Sequence, residues 1–216
     1  MVVAIAGGHG KIALRLAQLL AERGDQPVAL IRNPEHSEEV SAAGAHPVVC
    51  DLERVDADEV ARAITGSDAV VFAAGAGPGS GAERKETMDY GGAVLLIEAA
   101  RRAGVPRYVM VSAMAADAQH AGDEVFDVYL RAKGRADAEL AESGLEYTIV
   151  RPGMLTDDAP TGRVELGETV ERGAIPRADV AAVIVAVLHE PASVGTTFEL
   201  VSGEEPVESA ISSLAG

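Results

Sequence analysis

Gly7, Gly8 and Gly10 follow the apolar run Val2–Ala6 and lead straight into Ile12 and Ala13. Two spacings fit, Gly7-x-x-Gly10-x-x-Ala13 and Gly8-x-Gly10-x-x-Ala13, and both suit a strand that turns sharply into a helix. Such a turn lets backbone approach a pyrophosphate, while the free N–H groups and positive end of the helix receive its charge. Gly7, Gly8, His9, Gly10, Lys11 and Ile12 therefore form a candidate dinucleotide turn. A Gly-Gly step also makes ordinary turns, so the choice depends on the other strand ends.

A dinucleotide site usually carries an acid about 20 residues beyond the glycines, where it holds the ribose hydroxyls. Here the run Val28–Ile31 ends instead in Arg32 and Asn33. A guanidinium offers a planar fork of donors and a permanent charge, which suits a 2′-phosphate. NADP(H) is thus favoured over NAD(H), with a plain surface charge as the other reading of Arg32. Lys11 would add a second cation.

Those residues need elements to position them. Strands are predicted at Val2–Ala6, Val28–Ile31, His46–Cys50, Ala69–Ala73, Arg107–Ser112, Tyr147–Arg151 and Thr197–Val201. Between them, apolar residues at helical spacing predict helices over Ile12–Arg23, Glu38–Ala43, Ala57–Ile64, Met88–Ala103, Tyr129–Ser143 and Val180–His189, the last capped by Asp179. Continuous apolar strands imply burial on both faces, hence an α/β, three-layer, doubly wound parallel sheet, a Rossmann fold in a single domain. Ligands of such sheets bind beyond the carboxyl ends of the strands. Asp51 and Leu52 are placed there for adenine, Ala74 and Gly75 for close approach to a ribose, and Ser112, Pro152 and Gly153 at the last two ends.

The chain has 216 residues and a formal charge of −16, which argues against a nucleic-acid or anionic-membrane surface and makes its three lysines more telling. Cys50 is the only cysteine, so neither an internal disulfide nor a cysteine-based zinc site is expected, and a reducing cytoplasm is the natural compartment. The run Val180–Leu188 is too short to span a bilayer. His36, His46, His120 and His189 show no metal-ligand spacing and read as surface or strand-end residues, and the Asp157-Asp158 pair and the Glu165, Glu168, Glu171 group read as solvated loop charges rather than a metal site.

Together, the glycine turn, Ile31-Arg32-Asn33-Pro34, Cys50-Asp51-Leu52, Val105 through Ser112, Tyr129-Leu130-Arg131-Ala132-Lys133, Tyr147 through Gly153, and Ile175 through Ala181 resemble the atypical short-chain dehydrogenase/reductases. The resemblance covers nearly the whole chain and implies an NADP(H)-dependent oxidoreductase acting on a small carbonyl or alcohol. It implies Tyr129 as acid–base, with the Lys133 ammonium lowering its pKa and also holding the nicotinamide ribose, and Ser112 as donor to the substrate oxygen. Residues four apart share a helix face, so Tyr129 and Lys133 can point into one cleft. Three departures stand out. Ser112 lies 17 residues before Tyr129, a wide gap for the family, Ala113 stands where a second serine is common, and Met88 through Gly92 contains no asparagine for a proton relay. An NADP(H)-binding sensor without turnover, or a flavin- or quinone-type reductase with direct hydride transfer, are the alternatives. The substrate side is expected around 113–128, with Ala116–Asp127 as a flap, and around 153–178, and the chain as a monomer or homodimer.

Overall fold

In a computed structural model, residues 1–77 and 79–215 are described. The chain runs β1 (Val2–Ala6), α1 (Lys11–Glu22), β2 (Gln26–Ile31), α2 (Ser37–Ala42), β3 (His46–Val49), α3 (Ala57–Ile64) and β4 (Ala69–Phe72). A helical stretch follows, made of α4 (Ala82–Arg84), a π-helix (Lys85–Gly92) and α5 (Ala93–Ala103). Then come β5 (Arg107–Val111), α6 (Val125–Glu142), β6 (Glu146–Pro152), β7 (Met154–Thr156), β8 (Arg163–Gly167), β9 (Ala174–Pro176), α7 (Arg177–His189), β10 (Thr196–Ser202), β11 (Glu205–Pro206) and α8 (Val207–Ser212).

Nine strands form one sheet in the order β11-β8-β10-β6-β5-β4-β1-β2-β3, and β7 pairs with β9 in a separate ribbon. From β3 to β10 all pairs are parallel, whereas β8 runs antiparallel to both its neighbours, β10 and β11. The purely parallel expectation is corrected by β8 and β11, which extend the sheet beyond β10. The edge strand β3 contains Pro47, and β11 at the far edge ends in Pro206.

The apolar runs are continuous because helices cover both faces. Val3 and Ile5 of β1 pack with Leu16 and Leu20 of α1 and Ile184 of α7, while Ala4 and Ala6 face the core built by α3, α5 and α6. Each large side chain so buried contributes about 1.5–3 kcal/mol. β1 leads outward to β2 and β3, and the chain then returns across it to β4, so a crevice opens between the carboxyl ends of β1 and β4.

Several boundaries differ from expectation, among them two helix starts near the strand ends. α6 starts at Val125, a turn before Tyr129, because Glu124 and Asp127 form a reciprocal capping box. α7 starts at Arg177, so Asp179 does not cap it. The Asp179 carboxylate is buried and accepts from the Thr161 and Gly162 amides and the Thr161 hydroxyl. The segment expected as a flap packs down on α6, where a Cβ at Gly134 would stand 2.2 Å from the Ala118 nitrogen. Among the described residues, no helix is long and apolar enough to cross a membrane.

Candidate functional site

The glycine turn is built by close approach of backbones. Gly7 has φ of +76°, and a Cβ on it would meet the Ala74 Cα at 2.6 Å, so only glycine lets the β1 and β4 ends lie together. Gly8 has the same role against Ala29 of β2, where a Cβ would come within 2.6 Å. The Gly10 amide donates to the Gly7 carbonyl at 2.7 Å and closes the turn. α1 begins one residue later with no side-chain cap and no acid in its first turn, so its N–H groups and dipole remain free for an anion. A cleft of about 530 Å³ runs from this turn past Arg32, Asp51 and Leu52 on one side and Ala73, Ala74 and Gly75 on the other. Gly7, Gly8, His9, Gly10, Lys11 and Ile12 all line it. These features fit the pyrophosphate of a dinucleotide: a close-packed glycine turn and an uncapped helix end without a competing acid.

At the far end of the cleft, Glu53 gathers two cations. Arg84 reaches it at 2.9 Å, the Thr87 hydroxyl donates at 2.8 Å, and Arg32 stands 3.6 Å away, more than half exposed. The Arg84 hydrogen bond, supported by Thr87 and the Arg32 charge, holds the Glu53 carboxyl below its ordinary value despite burial. Glu53→Gln is therefore expected to cost about 1–2 kcal/mol near neutral pH. That contribution is present above the ordinary glutamate range and is lost as pH falls through the lower folded value. Urea midpoints of wild type and variant should differ at neutral pH and converge in acid.

The pyrophosphate end has cations of its own, with partners. Lys11 and Arg177 both line the cleft and both pair with Asp157, the arginine at 2.8 Å. Asp157, a loop carboxylate still more than half exposed, is thus an ion-pair partner of two residues that line the cleft. His9 stacks on His36 at 3.5 Å between centroids and bonds to Glu39 at 2.7 Å.

A second cleft of about 500 Å³ opens beside the first and shares Ile12, Ala73, Ala74, Gly75 and Gly77 with it. Tyr129, Lys133 and Ser112 line it, as expected, together with Lys85, Asp89, Val125, Phe126 and Leu155. Of the 113–128 and 153–178 segments, only Val125, Phe126 and Leu155 reach this cleft, and Arg177 reaches the first.

The electrostatics differ from the sequence expectation. Lys133 is 3% exposed, donates to the Val111 carbonyl at 3.0 Å and pairs with Asp89 at 3.5 Å. Its charge is thereby taken up by Asp89, a residue of the π-helix that is itself 1% exposed. Burial, with the charges of Asp89 and Asp137, pushes the Tyr129 phenol above its ordinary value, the reverse of the lowering expected from Lys133. The Tyr129 phenol therefore stays protonated at physiological pH. The Ser112 hydroxyl donates to Asp137 at 2.8 Å, so it offers the cleft an acceptor where a donor was expected. Arg151 donates to the same Asp137 oxygen at 2.9 Å, yet burial still raises that carboxyl above its ordinary value.

Three expected cofactor residues lie outside both clefts. Asn33 caps a short 3-10 turn by accepting from the Glu35 amide. Pro152 is buried at the end of β6, and at Gly153 a Cβ would stand 2.3 Å from the Gly173 carbonyl oxygen, so this step serves chain packing. The residues that the sequence missed are charged: Arg84, Lys85, Asp89, Asp137 and Arg177. For Asp137 a signal existed, since Tyr129, Lys133 and Asp137 fall four apart on one face of α6.

Comparison with known proteins agrees with this geometry. The family described as NAD(P)H-binding matches residues 7–191. YhfK of Bacillus subtilis, described as an uncharacterized sugar epimerase, is 38% identical over 215 residues, covering 99% of this chain and 100% of its own. A Bacillus halodurans protein provisionally described as an NAD-dependent epimerase/dehydratase has a solved structure that matches with a TM-score of 0.92 and 37% identity over 99% of each chain. The oxidoreductase ylbE of Lactococcus lactis matches with a TM-score of 0.87 and 27% identity, over 99% of this chain and 96% of its own.

Proposed function

This chain belongs to the NAD(P)H-binding family, and from that premise we propose that it is an NADP(H)-dependent oxidoreductase that reduces a small carbonyl substrate. The observation that carries the proposal is the junction of the two clefts at Ile12, Ala73, Ala74 and Gly75. It brings a dinucleotide-shaped groove to the mouth of a pocket that contains a neutral phenol.

Asp51 and Leu52 would hold adenine, Arg32 the 2′-phosphate, and the Gly7–Ile12 turn the pyrophosphate. The nicotinamide, when bound, would supply the hydride for the carbonyl carbon. Tyr129 gives its phenolic proton to the carbonyl oxygen, which completes the alcohol. Lys133, fixed between Val111 and Asp89, stands one helical turn away and would hold the nicotinamide ribose, while solvent restores the phenolic proton. Ser112, held by Asp137, accepts from the product hydroxyl.

A second reading is favoured by that same environment. With Tyr129 so poor an acid, a conjugated acceptor of the flavin or quinone kind would take hydride directly, without a protein acid.

Calorimetric titration of NADPH and NADH into wild type and Arg32→Ala tests the cofactor assignment. NADPH should bind more tightly than NADH, and the variant should lose about tenfold or more for NADPH with little change for NADH, because a charged hydrogen bond is worth about 1.5–3 kcal/mol. Equal losses for both nucleotides would remove the 2′-phosphate from Arg32, and binding of neither would reduce the glycine turn to a plain turn.

A further inference from the structure

Lys85 is a buried cation that the proposed reaction does not use. It enters the second cleft from the π-helix and is 9% exposed. One of its three donors goes to the Gly77 carbonyl at 3.1 Å, and its ammonium stands 5.3 Å from the centroid of the Tyr129 ring. Among the described residues no carboxylate pairs with it. The acid one turn along, Asp89, belongs to Lys133. The neighbouring cations are all matched: Arg84 by Glu53, Arg151 by Asp137, Arg135 by Glu86 and Arg177 by Asp157.

An ammonium withdrawn from water without a counter-ion is strongly disfavoured, and proteins seldom leave one so unless a ligand completes it. The chain has 34 Asp and Glu residues and a charge of −16, so a carboxylate for Lys85 is not scarce. The general field of such a chain repels anions, which makes a local cation inside a cleft a selective feature. A second observation concerns the walls. Phe126 is 65% and Val125 44% exposed at the cleft mouth, with the Phe126 ring 5.9 Å from that of Tyr129. Together with Leu155 they offer an apolar flank whose exposure to water is unfavourable until something covers it.

We propose that Lys85 anchors a carboxylate of the substrate, and that this substrate is an oxo-acid whose apolar body lies against Val125, Phe126 and Leu155. The reacting carbonyl at Tyr129 rests on the proposed function; the anion anchor rests on Lys85 alone. An amide or ester of the same acid lacks the charge and is discriminated against at this end of the cleft.

The test uses 2-naphthoate and 2-naphthamide, which share a ring system and differ in charge. Each is titrated calorimetrically into the full chain, with and without NADP⁺. Naphthoate should bind about tenfold more tightly than the amide, the worth of a charge-assisted hydrogen bond. Lys85→Met and Lys85→Gln, the latter keeping an N–H for the Gly77 carbonyl, should bring the two together, and Lys85→Arg should preserve the difference. Phe126→Ala should weaken both ligands alike. Equal binding by wild type, a preference that survives both neutral variants, or no naphthoate binding up to its solubility limit overturns the proposal. NADPH is titrated separately. A chain that ignores NADPH but still prefers naphthoate loses the oxidoreductase assignment and keeps the anion anchor, and the converse result loses only the anchor.

Discussion

Lys133→Met is expected to lower stability by about 3–5 kcal/mol, because it strands a carboxylate in the interior. Asp89 is 1% exposed, and its two oxygens are served by Lys133 at 3.5 Å and the Ala76 amide at 3.2 Å. Removing the ammonium leaves one of those oxygens charged and without a counter-ion, and the Val111 carbonyl loses its 3.0 Å donor. Both side chains are almost fully enclosed, so solvent screening does not soften the loss. The companion variant Lys133→Met/Asp89→Asn removes the charge together with its partner and keeps an amide oxygen for the Ala76 N–H. It should recover most of the difference. Urea unfolding of the wild type, both single variants and the double variant gives the coupling directly. A loss below about 1 kcal/mol in the single variant would mean that water reaches Asp89 and that the pair does not hold the cleft wall.

Tyr129→Phe is expected to lower turnover of any carbonyl compound that the wild type reduces by about 10²–10⁴-fold, the usual worth of a positioned acid. NADPH affinity should be unchanged, since Tyr129 lines the second cleft and not the first. The pH profile carries a further expectation. Burial and the charges of Asp89 and Asp137 raise the phenol, so its acid form persists well beyond the ordinary tyrosine range. Reduction should accordingly show no loss from phenol ionisation between about pH 7 and about pH 9. A falling limb near neutrality would mean that Lys133 controls Tyr129 in the working complex. Full turnover in the phenylalanine variant would favour direct hydride transfer to a conjugated acceptor.

The parallel core was legible because burial on both faces writes itself as unbroken apolar runs, as in the neighbouring strands Ala69–Phe72 and Arg107–Val111. The strands that escaped notice lack that mark. In β8 only Val164 is fully buried, and Glu165 alternates with it toward solvent, while β7, β9 and β11 are two or three residues long. The glycine turn and the place of Arg32 on the cleft wall were legible because backbone approach and strand ends leave few residue choices. The charged residues at helix starts were not. Arg84, Lys85 and Arg177 sit in the first turns of their helices, where a charge ordinarily faces water, and nothing in their local spacing reveals a cleft. Tyr129 and Lys133 were found as a pair, but their electrostatics were misread because Asp89 comes from a different helix. The cause is general: spacing reports neighbours on one element, and pKa depends on all of them.

The prolines at the two sheet borders bear on how native copies meet. An open strand edge offers a row of unsatisfied N–H and C=O groups and recruits other strands into growing assemblies. Pro47 in β3 has no N–H to offer, and β11, at the opposite border, is two residues long and ends in Pro206. Neither border can template an incoming strand over its full length, so the sheet is closed to fibre-like extension at both ends.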